Sequence, residues 1–426
     1  MSESPPSAGP IDNSERVHTL DALRGFALLG VFISNSLNWF NGRQMMPREQ
    51  ALALAASPLE IGVSSLFALL IEQKFVTLFA FLFGLGFALQ MTRAEGRGTS
   101  IVPVYRRRLL VLLGIGLVHM FAIWVGDILS TYALVGFLLL LFRKASEKTV
   151  LVWAAVLLFV LPVVFSVGQR VLPVLMDGAA ATERAQKATR EEDASRRAEY
   201  LAGLSSDSVV TSQRANAHYG WAAFSNPGRP ILLSIILGRF LVGLWAGRRG
   251  LLQDVERHRP LLRKLAAWGL GVGGVIGLFV MALNLAYWGV ANPPGWLVWM
   301  RIVKDVGIVF LGSGYAAAFA LLFQKERWRK VLGVFTPAGR MALTLYLMQS
   351  VMSLCLYDGW GLGLVARTPP SLTVLLSLAG FAVQVAFSHW WLARFRFGPV
   401  EWLWRSLTYG RFQPMRPVPT AAPAAN

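Results

Sequence analysis

The feature that most constrains this chain is a series of long apolar stretches separated by clusters of arginine and lysine. Five of these stretches are long enough to cross a hydrocarbon core of about 30 Å. They are residues 109–124, 150–167, 265–287, 306–323 and 372–392. A water-soluble domain has no room to bury so many apolar helices, whereas a bilayer solvates them directly. The sequence therefore predicts an all-α, polytopic membrane protein.

Composition and charge agree with this prediction. Of 426 residues, 55% are hydrophobic and only 15% are charged, yet the formal net charge is +18. In a soluble protein such a charge would suggest nucleic acid as a partner. Here the basic residues flank apolar stretches, as expected for the cytoplasmic loops of a membrane protein. We therefore expect the lipid bilayer, and not nucleic acid, to be the partner of this surface.

We predict ten membrane spans from the apolar stretches. They are residues 20–40, 75–91, 109–125, 128–142, 149–167, 231–246, 262–288, 302–323, 335–357 and 371–393. Residues 59–71 are also apolar, and we predict an interfacial or re-entrant helix there. Every second loop is strongly basic, whereas the short alternate loops carry almost no positive charge. This alternation predicts that both termini lie in the cytoplasm.

The same reading divides the chain into five parts. They are a disordered tail (1–17), an N-terminal membrane bundle (18–168), a long extracytoplasmic loop (169–229), a C-terminal membrane domain (230–412) and a second disordered tail (413–426). We interpret the long loop as a linker between two helical halves, and a lid over an outward pocket is the alternative. The single cysteine, Cys355, rules out an intrachain disulfide, and its apolar surroundings predict a buried, inert thiol.

Polar side chains within the predicted spans are the candidate functional residues, because an ionised group at mid-membrane costs about 2.5–3.5 kcal/mol on insertion scales. Those near the cytoplasmic face are Asp21, Arg24, Arg340 and His389. Those in the predicted outer half are Asn35, Glu72, Lys74, His119, Asp127, Lys304, Asp305, Tyr346 and Gln349. Several helices contribute to the second group, which predicts a shared polar cavity.

Two pairs in these sets have readable spacing. Asp21 and Arg24 are three residues apart, which predicts either a local ion pair or a ligand-facing role at the start of the first span. His119 and Asp127 are eight residues apart, a rise of about 12 Å along a regular helix. We therefore expect no direct contact between them unless a hairpin bend intervenes. His119 is either a structural histidine or a general base.

Other sequence motifs narrow the possible chemistry. No spacing of His, Cys, Asp or Glu is typical of a metal site, so we expect no metal. No glycine-rich phosphate loop follows a strand, and no Gly-x-Ser-x-Gly motif occurs. Lys304 and Asp305 are adjacent, so they point in different directions on a helix, and we expect a separate partner for each.

Five motifs make the chain resemble the YeiB-like family of bacterial inner-membrane proteins. They are Leu20-Asp-Ala-Leu-Arg-Gly-Phe-Ala-Leu-Leu-Gly30, Lys74-Phe75 with Leu82-Phe-Gly84, Gly126-Asp-Ile-Leu129 with Tyr132, Gly339-Arg-Met-Ala-Leu-Thr344 with Gln349-Ser350, and Gly398-Pro-Val-Glu-Trp-Leu-Trp-Arg405 with Leu407-Thr-Tyr-Gly410. They follow in order along nearly the whole chain, and the C-terminal half resembles the domain of unknown function that defines the family. The resemblance implies an inner-membrane location.

The first of these motifs is also similar to membrane acyltransferases of the acyltransferase-3 and heparan-glucosamine-acetylating types. That similarity implies an acyl-CoA co-substrate and an envelope glycan or lipid as acceptor. In the acyltransferase-3 pattern ten residues separate this arginine from a catalytic histidine. At the same spacing from Arg24 this chain has Asn35 instead of histidine. The glucosamine-acetylating relatives are similar in having asparagine there. This departure leaves His119 as the candidate base.

The leading hypothesis is therefore acyl transfer across the membrane. The proposed catalytic residues are His119, Asn35 and Asp127, and the proposed donor-binding residues are Arg24, Asp21, Arg106, Arg107 and Arg108. The proposed substrate-binding residues are Glu72, Lys74, Lys304, Asp305, Tyr346 and Gln349. The alternatives are a transporter of a small solute or lipid precursor, whose substrate path also needs charges at several depths, and a non-catalytic assembly protein.

Overall fold

The computed structural model describes residues 17–290 and 294–416, apart from the side chains of residues 298 and 301. Every regular element within these ranges is helical, which confirms the all-α prediction. The α-helices are α1 (His18–Asn35), α2 (Arg48–Leu54), α3 (Pro58–Leu70), α4 (Lys74–Gly96), α5 (Val102–Ala122), α6 (Leu129–Leu139), α7 (Glu147–Ala155), α8 (Leu161–Asp177), α9 (Ala179–Leu204), α10 (Val209–Phe224), α11 (Arg229–Arg248), α12 (Arg259–Ala286), α13 (Met300–Phe323), α14 (Glu326–Leu332), α15 (Thr336–Arg340), α16 (Ala342–Tyr357), α17 (Pro370–Leu392) and α18 (Pro399–Tyr409).

Within the described residues, seven continuous helical runs are long and apolar enough to cross a membrane. They are His18–Phe40, Pro58–Gly96, Glu147–Asp177, Arg229–Arg248, Arg259–Ala286, Gly295–Phe323 and Pro370–Leu392. An eighth span arises if Glu326–Arg340 and Ala342–Tyr357, which meet at 81°, are counted together. The two other predicted spans fall on α5 and on the short apolar run Leu129–Phe142. The count of ten thus stays a prediction, while the helices that carry it are present.

The apolar segment 59–71, for which we predicted an interfacial or re-entrant helix, is part of a longer helical run. In the structure α3 runs on into α4 without a sharp bend, as part of the 39-residue run Pro58–Gly96. The junction is marked by Gln73, whose φ of 64° is left-handed. Hence the polar residues at 72–74 interrupt the helix locally but do not reverse the chain.

Helix α1 lies at the centre of the bundle, and α12 lies at its edge. One side of α1 packs so closely on α15 that a β-carbon added to Gly25 would lie 2.1 Å from the backbone oxygen of Phe335. On α12, by contrast, Trp268, Val275 and Phe279 are exposed on the surface of the chain. Large apolar side chains exposed along a whole helix are what a lipid-facing surface requires. The protein is therefore a membrane protein.

The two predicted membrane halves form one bundle. α4 of the first half packs along α11 of the second, where the backbones at Gly84 and Phe240 approach closely. α1 likewise packs on α15, α16 and α17. Residues from both halves therefore surround the same interior.

The long connection between the halves is not a simple linker. It is helical: α9 and α10 lie within it, and α10 packs along α5. The amide of Asn216 on α10 donates to the carbonyl of Met120 (3.0 Å) and accepts from the backbone N–H of Val125 (2.7 Å). Because these bonds hold the turn between α5 and α6, the segment is part of the packed structure.

Two smaller predictions also need correction. The thiol of Cys355 is exposed on the surface of the chain, because its position on α16 faces away from the bundle. The start of the predicted C-terminal tail, residues 413–416, is packed: the indole of Trp402 donates to the carbonyl of Gln413 (2.7 Å), and the N–H of Arg396 donates to that of Met415 (2.9 Å). The tail at 1–16 and residues 417–426 lie outside the described residues.

Candidate functional site

Three buried side chains form a continuous hydrogen-bonded relay, which we call the Ser350–His119–Asp127 relay. His119 Nδ1 lies 2.8 Å from Asp127 Oδ1, and His119 Nε2 lies 2.9 Å from Ser350 Oγ. All three residues are buried. A hydroxyl, an imidazole and a carboxylate in this order are the arrangement that activates serine for nucleophilic attack.

The carboxylate of Asp127 fixes the proton position on His119. Besides the histidine, Asp127 accepts hydrogen bonds from the backbone N–H groups of Leu129 (3.1 Å) and Ser130 (2.7 Å). Since both oxygens of Asp127 accept backbone N–H bonds, we assign the ring proton to Nδ1 of His119, which then donates to the carboxylate. The other ring nitrogen, Nε2, then has a free lone pair directed at the hydroxyl of Ser350.

The contact between His119 and Asp127 corrects our expectation that they lie apart. That expectation assumed a regular helix, but α5 ends at Ala122 and the chain reverses before α6 begins at Leu129. The backbone oxygen of His119 accepts from both Ile123 (3.0 Å) and Trp124 (2.7 Å), which closes the end of α5. The reversal brings the aspartate back beside the last turn of α5.

A second set of hydrogen bonds, a clamp centred on Asp358, joins α10 to the end of α16. The hydroxyl of Ser212 on α10 donates to the carboxylate of Asp358 (2.6 Å), which directly follows α16, the helix that carries Ser350. The indole of Trp360 donates to the same carboxylate (3.1 Å). Burial raises the pKa of Asp358 to about 6, and these two hydrogen bonds oppose that rise. Helix α10 therefore holds both the α5–α6 turn, through Asn216, and the end of α16.

A large cavity, of about 600 Å³, runs past one side of this relay. It follows one face of α1 from Asp21 to Asn35, a rise of about 21 Å along the helix. Asp127 and Tyr346 line it, whereas His119 and Ser350 lie behind them. The ring of Tyr346 is 5.3 Å from that of His119. The relay thus reaches the cavity through Asp127 and Tyr346.

The two ends of the cavity differ in charge. One end, which we call the arginine-rich end, is lined by arginines from α1, α4 and the residue after it, α5, α15, the segment before α18, and α18. They are Arg24, Arg93, Arg97, Arg108, Arg340, Arg396 and Arg405. The other end, which we call the Asp127 end, is lined by polar groups of which most are uncharged. They are Asn35, Asn38, Gln44, Asp127 and Arg229. Such an interior suits an elongated ligand with an anionic head at the arginine-rich end.

Of the predicted donor-binding residues, three line the cavity. Asp21 and Arg24 form a local ion pair (2.9 Å), and both also face the cavity. The ion pair and the ligand-facing role that we predicted as alternatives are therefore compatible. Arg108 lines it as well, with its guanidinium 4.0 Å from the ring centre of Trp404. Arg106 and Arg107 do not, because three consecutive residues of a helix point about 100° apart.

The remaining predicted substrate-binding residues separate into other places. Gln349 is buried, and its side-chain nitrogen donates a hydrogen bond to the side-chain oxygen of Gln384 (3.1 Å). Lys304 on α13 forms an ion pair with Glu72 (2.6 Å), and Lys74 donates to a backbone carbonyl of α3. Neither lysine lines the large cavity, and Asp305 does not line it either. The predicted outer-half polar groups therefore do not all share one cavity.

Three residues that matter to this site were missed from the sequence. Ser350 was named only within a family motif and was not chosen as a site residue, because an isolated serine in an apolar helix is common. Arg239 lies inside a predicted span and should have been noticed for its charge alone. Glu401 on α18 caps α16 by accepting from the backbone N–H groups of Leu343 (2.7 Å) and Thr344 (3.0 Å). Burial raises the pKa of Glu401, against those hydrogen bonds.

These features define the chain as a polytopic α-helical membrane protein with a buried polar relay beside an arginine-lined cavity. Residues 246–411 match the family model described as "Protein of unknown function (DUF418)". The matched region contains Ser350, whereas His119 and Asp127 precede it.

Comparison with known proteins extends the match to almost the whole chain. The chain is 35% identical over 418 residues to "Uncharacterized protein YxaH" of Bacillus subtilis (strain 168), covering 96% of this chain and 98% of that protein. It is 30% identical over 407 residues to "Uncharacterized protein YeiB" of Escherichia coli (strain K12), covering 92% and 96%. The chain therefore belongs to the YeiB-like family. No solved structure matches it significantly.

Proposed function

We propose that this protein is an acyltransferase of the bacterial inner membrane. In this proposal an acyl group passes from a coenzyme A thioester, entering at the arginine-rich end, to a hydroxyl acceptor at the Asp127 end. The observation that carries the proposal is the Ser350–His119–Asp127 relay, placed beside a cavity whose far end is rich in arginine. The guanidinium groups there suit the phosphates of the donor.

Each residue of the relay has a role in a two-step transfer of the acyl group. Ser350 Oγ attacks the thioester carbonyl, so a C–O bond forms and the C–S bond breaks. His119 Nε2 takes the serine proton and gives it to the departing thiolate, while Asp127 holds the ring and stabilises its charge. In the second step the acceptor hydroxyl attacks the serine ester, and its proton returns through His119 to Ser350. Rotation of Tyr346 opens the serine to the cavity.

Two matched pairs of variants test these roles. Ser350→Ala and His119→Gln should lower CoA release from acetyl-CoA at least 10³-fold, the scale on which such relays contribute. Ser353→Ala and His258→Gln should stay within about twofold, because Ser353 lies on the same helix without a hydrogen-bond partner and His258 lies outside the cavity. The assay uses the purified chain in vesicles of total bacterial lipid. Full turnover by a folded Ser350→Ala variant would refute the mechanism.

A transporter is the second candidate, favoured by the break between α15 and α16. The two helices meet at 81°, and Arg340, Ala342 and Leu343 at the break line the cavity. Broken helices beside a central cavity are typical of transporters. Uptake of labelled solute into protein-containing vesicles without thioester, unaffected by Ser350→Ala, would favour transport over acyl transfer.

A further inference from the structure

Arg239 lies halfway along a helix that is long and apolar enough to span a membrane. Helix α11 runs from Arg229 to Arg248, so Arg239 is about 15 Å from the first residue and about 14 Å from the last. Arg239 lines the large cavity. An arginine at this depth cannot reach the water at either end of the helix directly, because its side chain is too short.

The guanidinium has no hydrogen-bonding partner in the described part of the chain. Its Nε atom is buried and unsatisfied, and none of the described residues forms a hydrogen bond or ion pair with its side chain. Asp305 attracts it through space, without a hydrogen bond. A cation at mid-span without a hydrogen-bonded counterion is costly, so such a residue marks a candidate binding site.

The surroundings of Arg239 are aromatic. The rings of Phe83, Tyr132 and Phe240 stack on or meet one another at 4.6–5.4 Å, and Phe83 and Tyr132 line the same cavity. These rings offer an apolar wall to a chain, and the hydroxyl of Tyr132 donates to the carbonyl of Val76 (3.4 Å) instead of bonding Arg239. A ligand that fits here combines an apolar body with an anionic group.

From these observations we infer that Arg239 is a mid-membrane binding site for the phosphate group of an amphipathic ligand. The planar guanidinium fork matches the oxygens of a phosphate, and the pairing supplies a hydrogen-bonded counterion, which none of the described residues provides. The phosphate can belong to a bilayer phospholipid or to coenzyme A. The site does not involve the Ser350–His119–Asp127 relay, so it does not depend on the proposed acyl transfer.

Binding measurements on the purified full chain in neutral detergent test the inference without an activity assay. The probes are phosphatidylglycerol and coenzyme A, each titrated separately. Arg239→Gln should weaken binding of one probe at least tenfold, and Arg239→Lys should weaken it less because the charge remains. Arg257→Gln, at an exposed arginine outside the cavity, should change neither affinity. Weaker binding of the lipid alone identifies the bilayer as the source, and weaker binding of coenzyme A alone identifies the donor.

The unliganded protein provides the second readout. If Arg239 serves to bind a ligand, Arg239→Gln removes a charge that has no hydrogen-bonded partner in the unliganded protein. The apparent Tm without probe should then stay equal or rise. Unchanged affinity for both probes in Arg239→Gln would overturn the inference. A large fall in Tm without probe, repaired by Arg239→Lys, would equally overturn it, since Arg239 would then serve the fold.

Discussion

Gly116 is the point where α5 passes closest to the start of α6. A β-carbon added there would lie 2.3 Å from the backbone nitrogen of Ser130 and 3.0 Å from Asp127 Oδ2. At Gly114, two residues earlier on the same helix, an added β-carbon would meet no atom within 4 Å. The same three-residue stretch therefore contains one position that the relay depends on and one that it does not.

This difference gives a matched pair of substitutions. Gly116→Ala should push α6 away, lengthen the His119–Asp127 contact and destabilise the protein by about 1–3 kcal/mol through overpacking. Gly114→Ala should be neutral or slightly stabilising, since alanine favours helix. Apparent Tm in detergent measures both. Equal Tm values for the two variants would show that the close approach at Gly116 is not tight.

At the same scale, the residue types were predictable but their contacts were not. His119, Asp127 and Tyr346 stood out because polar groups inside apolar spans are costly. The direct His119–Asp127 bond was missed, because the position at which α5 ends decides whether eight residues separate the two side chains or bring them together. Ser350 was missed because its partner is 231 residues away.

At the scale of elements, α10 holds the α5–α6 turn, which lies between His119 and Asp127, and the end of α16, which carries Ser350. Asn216 accepts from Val125 and donates to Met120, so its loss leaves a buried backbone N–H and a carbonyl unsatisfied. Asn216→Ala should therefore destabilise the protein by about 1–3 kcal/mol and lower any activity that needs the relay. Arg214→Ala, at an exposed position on the same helix, is the control. A Tm for Asn216→Ala as high as that of Arg214→Ala would mean that α10 does not clamp the turn.

The other clamp on α10 predicts a pH dependence. The pKa of Asp358 is about 6 in the folded protein, against an ordinary value of 3.8, so the folded state holds this proton more tightly than the unfolded state does. Its contribution to stability is therefore complete below about pH 4 and is lost as the pH rises through 6.

Asp358→Asn should remove this dependence. The Tm of the wild type relative to Asp358→Asn should fall between about pH 4 and pH 7, whereas the exposed Asp207→Asn should follow the wild type throughout. A constant difference between wild type and Asp358→Asn over this range would place the pKa of Asp358 at its ordinary value.

Element types were easier to predict than element roles. Apolar length predicted helices at all ten proposed spans, because backbone groups in lipid have to be satisfied within the helix. The role of residues 169–229 was not predictable, since hydrophilic, alanine-rich composition is equally typical of a free linker and of a helix whose few polar contacts, here Ser212 and Asn216, are specific.

At the scale of the whole molecule, arginine side chains line one cavity along its whole length, and most of them lie at one end. The arginine-rich end, Arg239 at mid-depth and Arg229 at the Asp127 end all line the same cavity. The sequence predicted donor-binding arginines at Arg24 and Arg106–Arg108, but it did not predict that Arg396 and Arg405 line the same cavity. Helix packing determines which loop residues turn inward, and the packing of α18 against α5 through Trp404 and Arg108 is a long-range contact that no local pattern encodes.

The central claim is that Ser350 becomes acylated from a donor that enters this cavity. Mass spectrometry of the purified chain after brief exposure to acetyl-CoA tests it most directly. The account predicts a gain of one acetyl group, mapped to Ser350, in the wild type and in Ser353→Ala, and its loss in Ser350→Ala and His119→Gln. An acetyl group on another residue, or an unmodified Ser350 in a preparation that still releases CoA, would contradict the account.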